Sequence, residues 1–292
     1  MKKLIFVLCA LLLCFTGCGE DAKTSDKITV MASFYPMAEF ARGVVGDCAE
    51  VQTLVPDGVE PHDWDPEPRD LSRLGRAKVF IYNGYVESWA EGALQTLNDR
   101  PIKAVQVGKE LYNVSGHTDP HIWVSPAKAV LAVERITKIM CQADPKNSEQ
   151  YTKQGKAYCE ELLKLDAELK ELSKQAKQKK FVTAHAAFGH LAADYGFEQI
   201  AVAGISPEEE PTPGRLRNLV QIIRREKVKY IFMETLASPK LTETLARETG
   251  VEILVLDPIE GLDEDGRKDK MNYLKLMQKN IQNLRKAMLG EK

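Results

Sequence analysis

The chain has 292 residues, of which 28% are charged, with 40 Lys and Arg against 42 Asp and Glu. This near-balance argues against a nucleic-acid partner, because a nucleic-acid-binding surface needs a clear excess of basic side chains. The length is comfortable for two compact cores and long for one.

The first residues have the pattern of a secretory signal. Two lysines precede an apolar run over residues 4–15 that is too short to span a bilayer, and small residues then precede Cys18. We predict a signal peptide over residues 1–17 that resembles a bacterial lipoprotein signal, with lipid attached to Cys18. An ordinary secreted protein with a free thiol is the alternative. The polar stretch to residue 27 is interpreted as a tether, so the chain is expected outside the cytoplasm and anchored to the cell membrane.

The remaining cysteines give little sign of a disulfide framework. Cys48, Cys141 and Cys159 follow the lipidation site, and three thiols cannot all pair with one another. Cys141 and Cys159 fall far apart on successive helical patterns, which makes a bridge between them doubtful. Whether any pair forms is left open, and no spacing suggests a cysteine metal site.

Short apolar runs alternate with helical patterns through most of the chain, which is typical of parallel sheets covered on both faces. The runs are ITVMASF from Ile28, VQTLV from Val51, KVFIY from Lys78 and IKAVQV from Ile102, then KFVTA, EQIAVAG, VKYIFM and EILVL after Lys179. We predict an α/β fold with a first lobe over residues 28–144 and a second lobe over residues 179–292.

The most helical segment lies between the two lobes, over residues 145–178. Leu162, Leu165, Leu169 and Leu172 recur at spacings of three and four, which gives one apolar stripe on a charged helix. One stiff helix joining two lobes is the preferred interpretation. A long surface helix within a single domain is the alternative.

Three of the five histidines follow predicted strands or sit in proline-stiffened loops. His62 lies in EPHDW, His121 lies in DPHIWVSP, and His185 follows the strand FVTA directly. Asp257 ends the strand EILVL in the same way. Because ligands bind at the carboxyl ends of strands in open α/β sheets, these side chains can converge. Three imidazoles and one carboxylate match the ligand number and chemistry that zinc prefers.

The other histidines and two glutamates have supporting interpretations. His190 would point about 140° away from His185 on a helix, at about 100° per residue, and is interpreted as a packing or supporting residue. His117 lies in a short polar loop and is expected to be solvated or to lie on an entry path. Glu60 and Glu234 are candidates to accept hydrogen bonds from the ligand imidazoles and so orient them.

Several segments together resemble a known family, the cluster A-I (cluster nine) solute-binding lipoproteins of ABC transporters, most closely its zinc-binding members. The segments are SFYPMAEFA, GVEPHDWDPEP, YNGYVESW, DPHIWVSP, the DP-x-N start of the long helix, HAAFGHLAADYG, GISPEEEPTP and VLDPIEGL. The resemblance implies two (β/α)4 lobes joined by a backbone helix, with metal in the cleft between them. It implies the ligands His62, His121, His185 and Asp257, one ion per monomeric chain, and a membrane permease as the partner.

The choice of metal rests on the third ligand position. Manganese-type relatives usually have a glutamate there, whereas this chain has His185, and imidazole favours zinc. The long histidine-rich loop of many zinc-specific relatives is absent here. We therefore expect zinc, with manganese or iron(II) as alternatives. Because four protein ligands leave no open position for water, no enzymatic activity is expected. A zinc-dependent hydrolase and a surface adhesin are the more distant alternatives.

Overall fold

The structure, a computed structural model, describes residues 27–114, 116–207 and 211–290. The predicted signal peptide, Cys18 and all but the last residue of the predicted tether lie outside the described residues. Within the described part of the chain, no helix combines the length and the apolar character needed to cross a bilayer.

The first lobe contains a four-stranded parallel sheet in the order β2-β1-β3-β4. Its strands are β1 (Ile28–Ala32), β2 (Ala49–Thr53), β3 (Val79–Tyr82) and β4 (Lys103–Gln106). The helices that follow these strands in turn are α1 (Tyr35–Val45), α2 (Pro68–Leu74), α3 (Ala90–Thr96) and α4 (Pro126–Ala143). A two-residue hairpin, β5 (Asn113–Val114) with β6 (His117–Thr118), interrupts the connection to α4.

The second lobe repeats this winding with a parallel sheet in the order β10-β9-β7-β8. Its strands are β7 (Lys180–Thr183), β8 (Glu198–Ala201), β9 (Tyr230–Met233) and β10 (Glu252–Val255). Its helices are α6 (Gly189–Tyr195), α7 (Pro213–Arg225), α8 (Lys240–Thr249), α9 (Glu264–Lys268) and α10 (Tyr273–Leu289). The predicted fold class of two mainly parallel α/β lobes is therefore confirmed. All eight predicted strands are present, whereas the short β5–β6 hairpin was not predicted.

The long helix α5 (Ser148–Gln175) lies between the two sheets in sequence, as predicted. Its leucine stripe is buried, and the helix packs on α4 and α1 of the first lobe and on α10 of the second. The buried apolar cluster around this helix includes residues of both lobes. Because the core runs continuously across residues 144 and 178, the domain boundaries placed there remain a prediction.

Two smaller apolar clusters cover the outer faces of the sheets. Successive strand residues point to opposite faces, so Val30 joins the central core while Met31 packs on the outer side with α2 and α3. In the second lobe Phe181 faces the central core and Val182 faces α7 and α8. Each lobe therefore has a shared inner layer and a separate outer layer.

Candidate metal centre

Four side chains from both lobes meet where strands end. His62 lies in the short 3-10 helix Pro61–Asp63 that follows β2, and His121 comes just before a second 3-10 turn leading into α4. His185 stands two residues after β7, and Glu260 comes five residues after β10. Among the described residues these four form a group of possible metal ligands whose donor atoms all lie within 4.8 Å of one another. We call this group the His3Glu cluster.

The Nε2 atoms of the histidines surround one carboxylate oxygen. Glu260 Oε1 lies 3.4 Å from His62 Nε2 and 3.3 Å from His121 Nε2. It lies 3.9 Å from His185 Nε2, and the Nε2 atoms of His62 and His121 are 3.1 Å apart. His121, His185 and Glu260 are buried, and the His62 side chain is 9% exposed. His185 Nε2 and Glu260 Oε1 have no hydrogen-bond partner, so they are buried polar atoms facing a position that an ion would fill.

Asp257, the predicted carboxylate ligand, is not part of the His3Glu cluster. Its Oδ1 atom accepts a hydrogen bond from Ile259 N–H at 2.7 Å, which makes a local turn. Ile259 then adopts a φ of 60°, and this left-handed residue redirects the chain so that Glu260 enters the cluster. The structure therefore brings Glu260, and not the predicted Asp257, to the three histidines.

Each histidine of the cluster is supported by a further carboxylate. Asp119 Oδ1 accepts from His121 N–H at 2.9 Å and lies 2.8 Å from His121 Nδ1. Glu234 follows β9, where Oε1 accepts from His185 N–H at 3.0 Å and Oε2 contacts His185 Nδ1.

Glu60 Oε1 accepts from His62 N–H at 3.1 Å, and no bond from Glu60 to the His62 ring is present. A ring that donates from Nδ1 keeps a free lone pair on Nε2, so the carboxylates orient His121 and His185 for binding through Nε2.

The electrostatics of the cluster favour a cation. Burial would lower the pKa of His121, but its hydrogen bond to Asp119 and its close contact with Glu260 outweigh burial and raise the pKa to about 9. For Glu260, burial acts to raise the pKa, but the close contacts with His121 and His62 hold it well below its usual range. Burial, followed by the charge of Glu260, raises the pKa of Glu60 to about 8. The acidic surroundings therefore retain protons until a metal cation replaces them.

The remaining predicted residues have distinct environments. His117 is exposed on the β5–β6 hairpin and is not among the clustered ligands. His190 is buried on α6, where its Nε2 lies 2.8 Å from the Asp119 carbonyl oxygen, so it supports the residue that holds His121. Cys48, Cys141 and Cys159 are free thiols.

Glu260 and Asp119 were missed from the sequence, although a signal for Asp119 exists. The tripeptide acid-Pro-His occurs twice, as Glu60-Pro61-His62 and as residues 119–121. In both cases the acid accepts from the histidine N–H two residues later. Recognising that repeat would have paired Asp119 with His121. Glu260 carries no comparable signal, since Asp257 is the residue that follows the strand more closely.

The fold and the cluster define a two-lobed binding protein with a site for one divalent ion between its lobes. The family described as zinc-uptake complex component A, periplasmic (ZnuA), matches residues 30–287, and the chain belongs to this family of solute-binding transport proteins.

Individual relatives resemble nearly the whole chain. The zinc-binding lipoprotein AdcA of Streptococcus pneumoniae is 36% identical over 308 residues, which cover 98% of this chain and 61% of that protein. The high-affinity zinc uptake system protein ZnuA of Bacillus subtilis is 34% identical over 309 residues, which cover 98% of this chain and 97% of that protein. The crystal structure of the Zn(II)-bound ZnuA-like domain of Streptococcus pneumoniae AdcA has a TM-score of 0.81 at 38% identity, covering 90% of this chain and 99% of that one.

Proposed function

We propose that this chain captures one zinc ion outside the cytoplasm and delivers it to the membrane permease of an ABC transporter. Membership of the zinc-uptake component A family and the zinc-bound structure of a relative support this proposal. His62, His121, His185 and Glu260 would hold the ion, which is the transported cargo and not a resident cofactor.

The spacing of the four donor atoms carries the proposal. Ligands at about 2.0–2.2 Å from a zinc ion in tetrahedral geometry lie about 3.3–3.6 Å from one another. In the cluster, the distances from Glu260 Oε1 to His62 and His121 Nε2 are 3.4 and 3.3 Å, and the two Nε2 atoms are 3.1 Å apart. His185 Nε2 lies 3.9 Å from Glu260 Oε1, so His185 would move closer to bind the same ion. The donor atoms of Glu260, His62 and His121 are therefore spaced for a small tetrahedral ion, and His185 lies close enough to complete the set.

The ligand set favours zinc over the alternatives. Three imidazoles and one carboxylate suit zinc, whereas manganese prefers a larger share of carboxylate and water ligands. Manganese and iron(II) remain the alternative cargoes.

Transport fits this site better than catalysis does. A hydrolytic zinc site needs an open position for water, and Glu260 fills the fourth position here. Among the described residues, the large exposed apolar side chains lie on four different elements, namely the loop after β3, α4, α5 and β10. Their distribution therefore does not favour an adhesin, which would use one apolar binding surface.

The proposed location and partners follow from the same function. We place the mature chain at the outer side of the cell membrane, attached through lipid on Cys18, and we expect a monomer that meets a permease. The free-thiol alternative for Cys18 predicts release of the protein on cell fractionation, whereas a lipid anchor keeps it with the membrane.

Metal analysis and titration of metal-free protein test the site. We expect one zinc per chain, and we expect His62→Ala, His121→Ala, His185→Ala and Glu260→Ala each to weaken zinc binding by about a hundredfold or more, ~3 kcal/mol. His117→Ala is the matched control, since this exposed histidine lies outside the cluster, and it should change affinity by less than about tenfold. Two tightly held ions per chain, or an equal loss for His117→Ala, would contradict the assignment.

A further inference from the structure

Asp257 is a buried carboxylate for which ligand binding gives no role. It is 5% exposed and lies outside the His3Glu cluster. Its Oδ1 atom accepts a hydrogen bond from Ile259 N–H, at 2.7 Å. A buried carboxyl group without a binding role needs another explanation, because its burial is costly unless it is hydrogen-bonded or paired.

The turn that Asp257 closes is itself unfavourable. Ile259 has a φ of 60°, a region that a β-branched residue rarely adopts. Ile259 is also fully buried, so its side chain is held in the core at 0% exposure. Such a conformation persists only where the surroundings determine it. The bond from Ile259 N–H to Asp257 is the described contact that fixes this residue's backbone.

A second side chain fixes the backbone of Asp257 from the last helix. Asn280 on α10 is 2% exposed and uses both ends of its amide on the same residue. Its Oδ1 accepts from Asp257 N–H at 2.8 Å, and its Nδ2 donates to the Asp257 carbonyl at 2.6 Å. The next carbonyl, that of Pro258, accepts from Trp123 Nε1 at 2.7 Å. Hydrogen bonds therefore fix the backbone of each of residues 257–259.

Glu260, in contrast, contacts the cluster histidines through Oε1, which lies 3.4 Å from His62 Nε2 and 3.3 Å from His121 Nε2. Its Oε1 atom has no hydrogen-bond partner and faces the three histidines. The position of this oxygen therefore depends on the turn that precedes it.

We propose that Asp257 and Asn280 are positioning residues that set the place of the Glu260 carboxylate, and so link helix α10 to the geometry of the metal site. This inference rests on the proposed function. It assigns Asp257 a hydrogen-bonding role within the protein and no bond to the ion.

Two substitutions at one position separate this role from direct ligation. Asp257→Asn keeps an oxygen that can accept from Ile259 N–H but removes the charge, whereas Asp257→Ala removes both. We expect Asp257→Asn to retain zinc affinity within about threefold of wild type and Asp257→Ala to lose about tenfold or more. Asn280→Ala leaves the Asp257 side chain in place and should also lose about tenfold.

The readout must report the site and not only the stability of the fold. Co²⁺ in place of zinc gives absorption bands that depend on coordination geometry, so the spectrum should change for Asp257→Ala and Asn280→Ala and stay near wild type for Asp257→Asn. Circular dichroism of the metal-free variants shows whether each is folded. If Asp257→Ala does not fold, Asn280→Ala and Asp257→Asn still decide the question.

The outcomes distinguish this inference from the proposed function. If Asp257→Asn loses as much affinity as Glu260→Ala, Asp257 acts as a ligand and the positioning role is overturned. If folded Asp257→Ala or Asn280→Ala keeps wild-type affinity and a wild-type Co²⁺ spectrum, the positioning role is also overturned, while zinc binding by the wild type stands. If the wild-type protein binds no zinc, the proposed function fails, and the inference that rests on it falls as well.

Discussion

Zinc binding should be strongly dependent on pH because the metal-free cluster holds a proton that zinc must displace. His121 has a pKa raised to about 9, since its hydrogen bond to Asp119 and its contact with Glu260 outweigh the effect of burial. Zinc binds the neutral imidazole. At pH 7 the proton on His121 therefore competes with the ion, and the competition disappears as pH rises through about 9.

The size of the effect follows from that pKa. Two pH units below it, one competing proton weakens zinc binding by about a hundredfold, or about 3 kcal/mol at about 1.4 kcal/mol per unit. The stability of the metal-free fold depends on pH with the opposite sign. A raised histidine pKa stabilises the metal-free fold below the unfolded pKa of about 6.5, and this stabilisation is lost as pH rises through about 9. Rising pH should thus weaken the metal-free fold while strengthening zinc binding.

Calorimetry and chelator competition can measure both parts. At pH 7, titration in two buffers of different ionisation enthalpy should show release of about one proton or more per zinc bound. Competition at pH 7, 8 and 9, corrected for zinc bound by buffer and hydroxide, should show the rise in affinity. Glu260→Gln alters one contact that raises the His121 pKa, so zinc affinity should rise less steeply with pH in this variant. His117→Ala should keep the wild-type dependence of zinc affinity on pH. No proton release together with a flat pH profile would refute this reasoning.

Three further predictions concern metal preference, a close approach and the core. His185→Glu should shift the zinc-to-manganese affinity ratio toward manganese in competition assays, and an unchanged ratio would remove the reason for expecting zinc. A Cβ at Gly189 would lie 2.4 Å from Asp119 Oδ2. Gly189→Ala should therefore displace that carboxylate and weaken zinc binding by about fivefold, ~1 kcal/mol. Wild-type zinc affinity would show that the carboxylate can move without loss. Leu169→Ala should lower the free energy of unfolding of the metal-free protein by ~2–5 kcal/mol. Leu163 is half-exposed, so Leu163→Ala should lower it by less than ~0.5 kcal/mol. Equal losses for the two variants in denaturant titrations would contradict the buried leucine stripe.

The strands and the three histidines could be predicted because their signals are local. A buried parallel strand is a nearly continuous apolar run, and a histidine that follows such a run belongs to the ligand-binding edge of the sheet. The β5–β6 hairpin has two residues in each strand, too few to leave a pattern. His117 was accordingly interpreted as lying in a simple loop.

The carboxylate that the structure brings to the three histidines could not be predicted, because its position depends on a turn that leaves no pattern in the sequence. Counting from the end of β10 favours Asp257, and only the left-handed conformation of Ile259 brings Glu260 into the cluster. Isoleucine is among the residues least expected in that conformation. The contacts that hold it come from Asp257 and from Asn280, 23 residues further along the chain. Local propensity therefore points to Asp257, whereas long-range hydrogen bonds hold the turn that brings Glu260 to the histidines.

The division of the apolar interior into one central and two outer clusters has a consequence for how the molecule opens. The helices α2 and α3 share one outer cluster, and α7 and α8 share the other, while α5 belongs to the central one. Regions with their own small core can unfold without the rest. Amide hydrogens of each outer pair should then exchange as a separate group, faster than those of α5. The flanks of such a molecule can open and refold independently while the ion stays enclosed at its centre.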